Sequence, residues 1–528
     1  MLKSNFYKAV IIREDSLNTT ATGEQRGAFS SNLGFLLAAI GSAIGLGNIW
    51  RFSYIAYANG GGAFLIPYFI ALLTAGLPLL ILEYGIGHRE HASAPLAFAR
   101  IHRRTEWLGW WMPLFVMFGI MFYYQVIIGW CANFVVFSFD LRWGADTQDF
   151  FLNEFLGLTS CPGDLGGFRP LIIISTGLMW IVTWFITFQK INRGIELACK
   201  IFMPILLVAT LILIGWGLTL PGAFDGIKYY LSPQWSKLLD IKVWMAAYGQ
   251  IFFTLSIGFG IMIAYASYLP AKTNLVQNAV IVSFTNCIYS FISGFVVFSI
   301  LGCLSFSKQL PIDQVVKSGP ILAFVVFPEA ISNLPFMREV FGVIFFLSLS
   351  IAGLSSSVSI VEALTSAVID KFQVSRRLVV SLLCVTGFLG SLVFMTGGGL
   401  YWLDIVDHVL NQYGLILAGL LECLFVGYIL KAAVLRLHIN EVSRWKLVKA
   451  WDLMIKYLTP SILFIMLTRS FINDLLKGYG EYSMTDFVCI GCGWLLATVA
   501  GAIILSLYPW KTPRFQALHV PESDELFK

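Results

Sequence analysis

The chain has 528 residues, 58% of them apolar and only 12% charged, with a formal net charge of +5 and a mean hydropathy of +0.78. Soluble domains carry about 25% charged residues, so this composition excludes a water-soluble globular protein and requires lipid as solvent. The small positive excess forms no basic block interleaved with aromatics, which excludes nucleic acid as a partner.

The polar start, residues 1–28, reads as a short cytoplasmic arm with no cleavable signal pattern before the first apolar run. Asn18-Thr19-Thr20 matches a glycosylation sequon but falls on that arm. About twelve apolar stretches follow, each long enough for a hydrocarbon core of about 30 Å, which takes about 20 helical residues. They run roughly 33–58, 62–86, 109–139, 170–188, 196–220, 242–268, 275–304, 337–370, 378–396, 401–431, 447–470 and 485–508. An even count puts both termini on one side. Short loops on that side hold Arg89, Arg100, Arg103, Arg104, Arg376, Arg377, Arg436, Arg444, Lys446 and Lys449, so it is expected to be cytoplasmic. The short second outer loop and the lack of outer sequons favour a bacterial cytoplasmic (inner) membrane.

Span one is interrupted near its middle by Ile44-Gly45-Leu46-Gly47, and Asn48 follows directly. Span two carries Glu83, an acid whose cost in lipid implies a partner or a task. In the next loop His88, His91 and His102 stand among arginines, a pattern that fits a solvated loop better than a metal site. Span six repeats the interruption as Ile257-Gly258-Phe259-Gly260, opened by Thr254 and Ser256. Span seven holds Asn286 and span eight Ser355-Ser356-Ser357, while Ser348 and Ser350 read as interhelical glue. Nine cysteines are scattered through mostly apolar spans, so no disulfide framework is expected, and Cys489-x-x-Cys492 fits packing rather than metal binding.

The two interruptions lie five spans apart. Five is odd, so two five-span units lie in the membrane with opposite orientation, the inverted-repeat plan of many secondary transporters. Glycines at mid-membrane cost about 1 kcal/mol each relative to alanine, and an unwound turn bares amides and carbonyls that lipid cannot satisfy. Half-helix N-termini attract a carboxylate, and freed carbonyls coordinate small cations; neutral oxygens suit sodium. Close helix packing is the competing reading of such glycines. The expected fold class is therefore all-α integral membrane, twelve transmembrane helices in a 5+5 inverted repeat with helices 1 and 6 broken at mid-membrane. Its divisions are a cytoplasmic arm 1–28, a first repeat 29–220, a second repeat 242–431, helices 11–12 over 445–510 and a cytoplasmic tail 511–528. No nucleophile–base pair, His-rich metal set or nucleotide loop stands at mid-membrane, so an enzyme is not expected. A sensor or ion leak on the same scaffold stays open.

The stretch Gly41-Ser42-Ala43-Ile44-Gly45-Leu46-Gly47-Asn48-Ile49-Trp50-Arg51-Phe52, followed by Asn59-Gly60-Gly61-Gly62-Ala63-Phe64-Leu65-Ile66-Pro67-Tyr68, resembles the first-span signature of the neurotransmitter:sodium symporter family, whose fold is leucine-transporter-like. Gln250-Ile251-Phe252-Phe253-Thr254-Leu255-Ser256 and Ala352-Gly353-Leu354-Ser355-Ser356 resemble it too. The resemblance covers spans one to ten, and implies a sodium-coupled symporter working by alternating access. It implies a first sodium site at the Ala43 carbonyl, Asn48, Thr254 and Asn286, completed by the substrate carboxylate. A second is implied at the carbonyls of Gly41, Ile44 and Ala352 with the hydroxyls of Ser355 and Ser356. Tyr124 and the Leu46-Gly47 amides would meet the carboxylate, Phe253 would lid the pocket, and the side chain would rest among Ser42, Ile120, Ser256, Phe259, Ser356 and Ile360.

Amine-carrying relatives hold an aspartate where Gly45 stands, so the solute here is expected to bring its own carboxylate: a small neutral amino acid, or another small zwitterion such as a betaine-like solute. Chloride-dependent members hold a serine where chloride-independent ones carry an acid. This chain has Ser290, which with Tyr68, Gln250, Thr254 and Asn286 would cradle chloride, unless it merely packs. The resemblance further implies an outer gate pairing Arg51 with Asp407, for which Asp404 is an equally placed candidate by sequence. It implies an inner gate of Arg26 and Asp370 with Tyr268 against the guanidinium. At the position next to Arg26 where the family has tryptophan, this chain has Phe29, and the resemblance has Glu83 bracing the broken helices.

Overall fold

The computed structural model describes residues 27–312 and 319–511. These residues fold into helices, with only isolated bridges at Gly61–Pro233 and Phe168–Thr396 in place of strands. Ten helices are long and apolar enough to cross a membrane: Gly62–Glu90, Arg103–Phe137, Pro170–Phe188, Ile195–Gly217, Leu275–Lys308, Arg338–Phe372, Arg376–Met395, Gly399–Val442, Lys449–Lys477 and Met484–Leu507. An eleventh span is the pair Asn32–Ala43 and Gly47–Ala58, bent by 59° where they meet. Where the sequence reading expects span six stand Ile241–Thr254 and Ile261–Ala266, separated by six non-helical residues. The protein is an all-α integral membrane protein, with spans one and six broken as expected.

Each break has a local cause. Span one starts where the Ser31 hydroxyl accepts the Gly34 N–H at 3.0 Å, and its first half ends at Ile44, whose ψ of 102° leaves the helical region. The chain resumes as a π turn over Gly47–Arg51. In span six, Ser256, Gly258 and Gly260 take φ of 54°, 77° and 70°, the left-handed region that ends a right-handed helix. Glycine carries that conformation at no steric cost at two of the three positions.

Burial separates core spans from lipid-facing ones. The most apolar window of span three is 94% buried and that of span twelve only 22%, so span three runs through the protein and span twelve lines its edge. Span ten extends to Val442, past the expected end at residue 431, through a π turn over Phe425–Lys431. That extension carries His438 to the end of span two, where His88 Nδ1 lies 3.0 Å from His438 Nε2 and His88 Nε2 lies 3.1 Å from the Pro270 carbonyl. His88 is buried, so the solvated-loop reading fails there, because a helix longer than its apolar stretch packs over it.

Candidate functional site

The breaks in spans one and six face each other and are held together by hydrogen bonds. Gly45 N–H donates to Asn48 Oδ1 at 2.8 Å across the first break. The Asn48 amide donates to Thr254 Oγ1 at 3.0 Å, Asn286 Oδ1 at 2.7 Å and Ser290 Oγ at 2.8 Å. The Asn286 amide closes the ring on Thr254 Oγ1 at 3.1 Å. Spans one, six and seven thus meet in one buried cluster of neutral oxygens and amides, as the sequence reading expected of Asn48, Thr254 and Asn286. Glu83 braces the second break directly: its Oε1 accepts the Gly258 N–H at 2.6 Å.

Beside this cluster the contacts of the first break take in spans three and eight. The Leu46 N–H donates to the Tyr124 hydroxyl at 3.3 Å, four residues after Ile120, which ends a π turn in span three. The hydroxyls of Ser256 and Ser356 both donate to the Ser42 carbonyl at 3.2 Å, which draws spans six and eight onto the end of the first half-helix. Ser355 donates to the Ala352 carbonyl at 2.9 Å. Gly41, whose Cβ would come within 3.2 Å of Cys199 Sγ, packs against span five. Ala43, Ile44 and Ile360 are buried, and Phe259 meets Phe115 edge to face with centroids 5.8 Å apart. Phe253 lies over the break: a Cβ on Gly47 would sit 2.5 Å from its ring.

A second polar group is buried beside the Asn286 cluster, toward Ser290. The Tyr68 hydroxyl and both ends of the Gln250 amide have no hydrogen-bond partner and are sealed from solvent. Tyr68 faces Ser290 and Cys287, and Gln250 is one turn before Thr254. Donors left unpaired in a buried place cost about 1–3 kcal/mol each, and this set could repay that cost by holding an anion.

The Arg51 guanidinium lies 4.4 Å over the Phe253 ring. The expected Arg51–Asp407 ion pair is not formed, because Asp407 Oδ1 is taken by the Tyr123 hydroxyl at 2.6 Å and the Asn411 amide at 2.7 Å. Tyr123 thus ties Asp407 to span three. Asp404 accepts the hydroxyls of Tyr479 at 3.0 Å and Tyr482 at 2.9 Å. On the inner side, Arg26 lies outside the described residues. Asp370 Oδ2 accepts the Ser93 N–H at 2.8 Å, and Tyr268 donates to Glu362 at 2.7 Å, beside Arg376. Phe29 keeps an aromatic contact there, edge-on to Phe35, Tyr265 and Tyr268. Tyr123, Asn411 and Glu362 were missed by sequence reasoning; of these only Glu362, an acid inside an apolar span, carried a signal that could have found it.

The profile of the sodium:neurotransmitter symporter family matches residues 26–146 and 144–512. An uncharacterised sodium-dependent transporter of Methanocaldococcus jannaschii is 45% identical over 488 residues, covering 92% of this chain and 98% of that protein. A sodium-dependent dopamine transporter of Caenorhabditis elegans is 31% identical over 555 residues, covering 94% of this chain and 89% of its own.

Proposed function

The chain belongs to the sodium:neurotransmitter symporter family, is a sodium-dependent transporter and not an enzyme, and from that premise we propose that it carries a small neutral amino acid inward with sodium by alternating access. The observation that carries this reading is the facing pair of breaks tied through Asn48, Thr254 and Asn286. Main-chain groups and neutral oxygens there suit an alkali cation. In this reading one sodium takes Ala43, Asn48, Thr254 and Asn286 and the substrate carboxylate, and a second takes Gly41, Ile44, Ala352, Ser355 and Ser356. The carboxylate binds Tyr124 with the Leu46 and Gly47 amides, and the side chain sits among Ser42, Ile120, Ser256, Phe259, Ser356 and Ile360 under Phe253.

Gly45 supports an amino acid over an amine. It leaves no fixed acid at the break, and even a Cβ there would lie 2.8 Å from the Tyr124 hydroxyl. The unpaired Tyr68 hydroxyl and Gln250 amide beside Ser290 support chloride as the third ion, with Thr254 and Asn286 adjoining; an anion there offsets two sodium charges in a low-dielectric site. Arg51 with Asp407 forms the outer gate through Tyr123, and Arg26 with Asp370 and Tyr268 the inner one. The protein sits in a cytoplasmic membrane with both termini inside, its repeats spanning 29–220 and 242–431. A thermal-shift screen of the twenty amino acids, with sodium and with potassium, tests the reading. A rise in melting temperature is expected for one or a few small neutral amino acids in sodium only, followed by their unaltered accumulation in proteoliposomes under an inward sodium gradient. Stabilisation by a betaine or an amine alone, or by no solute under sodium, would overturn the amino-acid assignment.

A further inference from the structure

Asp404 and His408, one turn apart on the outer half of span ten, take no part in the site above, yet both are engaged. Tyr479 and Tyr482, in the loop joining spans eleven and twelve, donate their hydroxyls to the two oxygens of Asp404. The Tyr479 ring also stacks on the His408 imidazole, with centroids 3.7 Å apart. His408 Nε2 lies 2.7 Å from Asp474 Oδ2 on span eleven, which also accepts the Tyr413 hydroxyl at 2.6 Å. On another side of the same helix, the Tyr401 hydroxyl and the Trp402 indole donate to the carbonyls of Thr159 and Pro162 in the second outer loop, at 2.7 and 2.9 Å. What remains faces span three: Asp407, whose Oδ1 accepts both the Tyr123 hydroxyl and the Asn411 amide.

Immediately below these ties the helix passes through a π turn, Leu410–Leu415. A π turn shifts side-chain register, so the packing of the lower half of span ten does not by itself dictate the direction of Asp407, and the outer ties add to the hold that Asn411 has on it. We propose that Tyr479 and Tyr482 are positioning residues of the outer gate: by gripping Asp404, with His408 as their second hold, they fix the rotation of span ten that points Asp407 at Tyr123 and Arg51. This rests on reading Asp407 as the gate acid. Burial, and then the Asp404 carboxylate, raise both phenols above their ordinary pKa, so the two hydroxyls stay protonated and donating throughout the working pH range.

The test is a mutant cycle on the purified full-length protein, with the release of bound 22Na+ into sodium-free buffer as readout. The double variant Y479F/Y482F keeps both rings, and with them the stack on His408, while removing only the hydroxyls. It is expected to release sodium about fivefold faster than the unmodified protein, and Asp407→Asn to do likewise. The triple variant is expected to be no faster than Asp407→Asn alone, since residues acting through one group are not additive. A merely structural role for the tyrosines would instead multiply the two effects, and that result, or an unchanged rate in Y479F/Y482F, overturns the proposal. Failure of the unmodified protein to retain 22Na+ at all would strike the sodium-site reading, and the latch with it.

Discussion

Glu83, Tyr124 and Ser290 each rest their role on one or two hydrogen bonds, so their substitution gives separable outcomes. Glu83→Ala leaves the Gly258 N–H without its acceptor at 2.6 Å, at a cost of about 1–3 kcal/mol for a buried donor left unsatisfied. Glu83→Gln keeps a carbonyl for that amide, so melting temperatures in detergent are expected to fall in the order wild type, Gln, Ala. Tyr124→Phe removes the hydroxyl at the first break; amino-acid affinity is expected to drop about tenfold or more, while stabilisation by sodium alone persists. Ser290→Glu places a fixed carboxylate beside Tyr68 and Asn48, and uptake is then expected to survive replacement of chloride by gluconate. Asn48, Thr254 and Asn286 were readable in the sequence because amides and hydroxyls are conspicuous in apolar spans. Tyr123 and Asn411 were not, since a tyrosine and an asparagine near a membrane surface have many ordinary uses.

At the level of whole elements, the two broken spans depend on glycine for different reasons. Gly258 has φ +77° and its nearest neighbours to a new Cβ lie at 3.4–3.6 Å, so Gly258→Ala pays only conformational strain, about 1–2 kcal/mol. Gly45 has ordinary backbone angles but a new Cβ would lie 2.8 Å from Tyr124 Oη and 2.9 Å from Ser356 Oγ. Gly45→Ala is therefore expected to melt near the wild-type temperature without ligand and to lose stabilisation by amino acids, whereas Gly258→Ala melts lower under every condition. The breaks were legible because glycine pairs at the centre of two apolar runs are costly there. The π turns in spans three, seven-to-eight and ten were not, because an extra residue in a helical turn leaves no mark on hydropathy.

For the molecule as a whole, coupling is a question of charge and gradient. A tenfold sodium gradient gives about 1.4 kcal/mol per ion and about 100 mV adds about 2.3 kcal/mol per charge, so two ions supply about 7 kcal/mol. In the reading proposed above, two sodium ions, one chloride and a zwitterion would carry one net positive charge inward. An inside-negative potential set by potassium and valinomycin is then expected to raise accumulation in proteoliposomes, and clamping the potential at zero to lower it without abolishing it. Accumulation indifferent to potential would count against this stoichiometry. Linkage of substrate and ion through a shared carboxylate also requires that each raise the other's affinity by the same factor, which equilibrium binding of both measures.

Membrane class, number and order of spans, and the place of both breaks were present in the linear order of residues. They depend on properties summed over about 20 neighbours or on the backbone cost of a glycine, and both are local. Assembly was not local. Asn48 finds Ser290 across 242 residues, His88 finds His438 across 350, and Asp404 and Asp407 differ only in which way one helix is turned. Rotation and approach of helices come from packing between distant segments, whose alternatives hydropathy does not distinguish, so the partners of Asp407 emerged only when the spans were packed together.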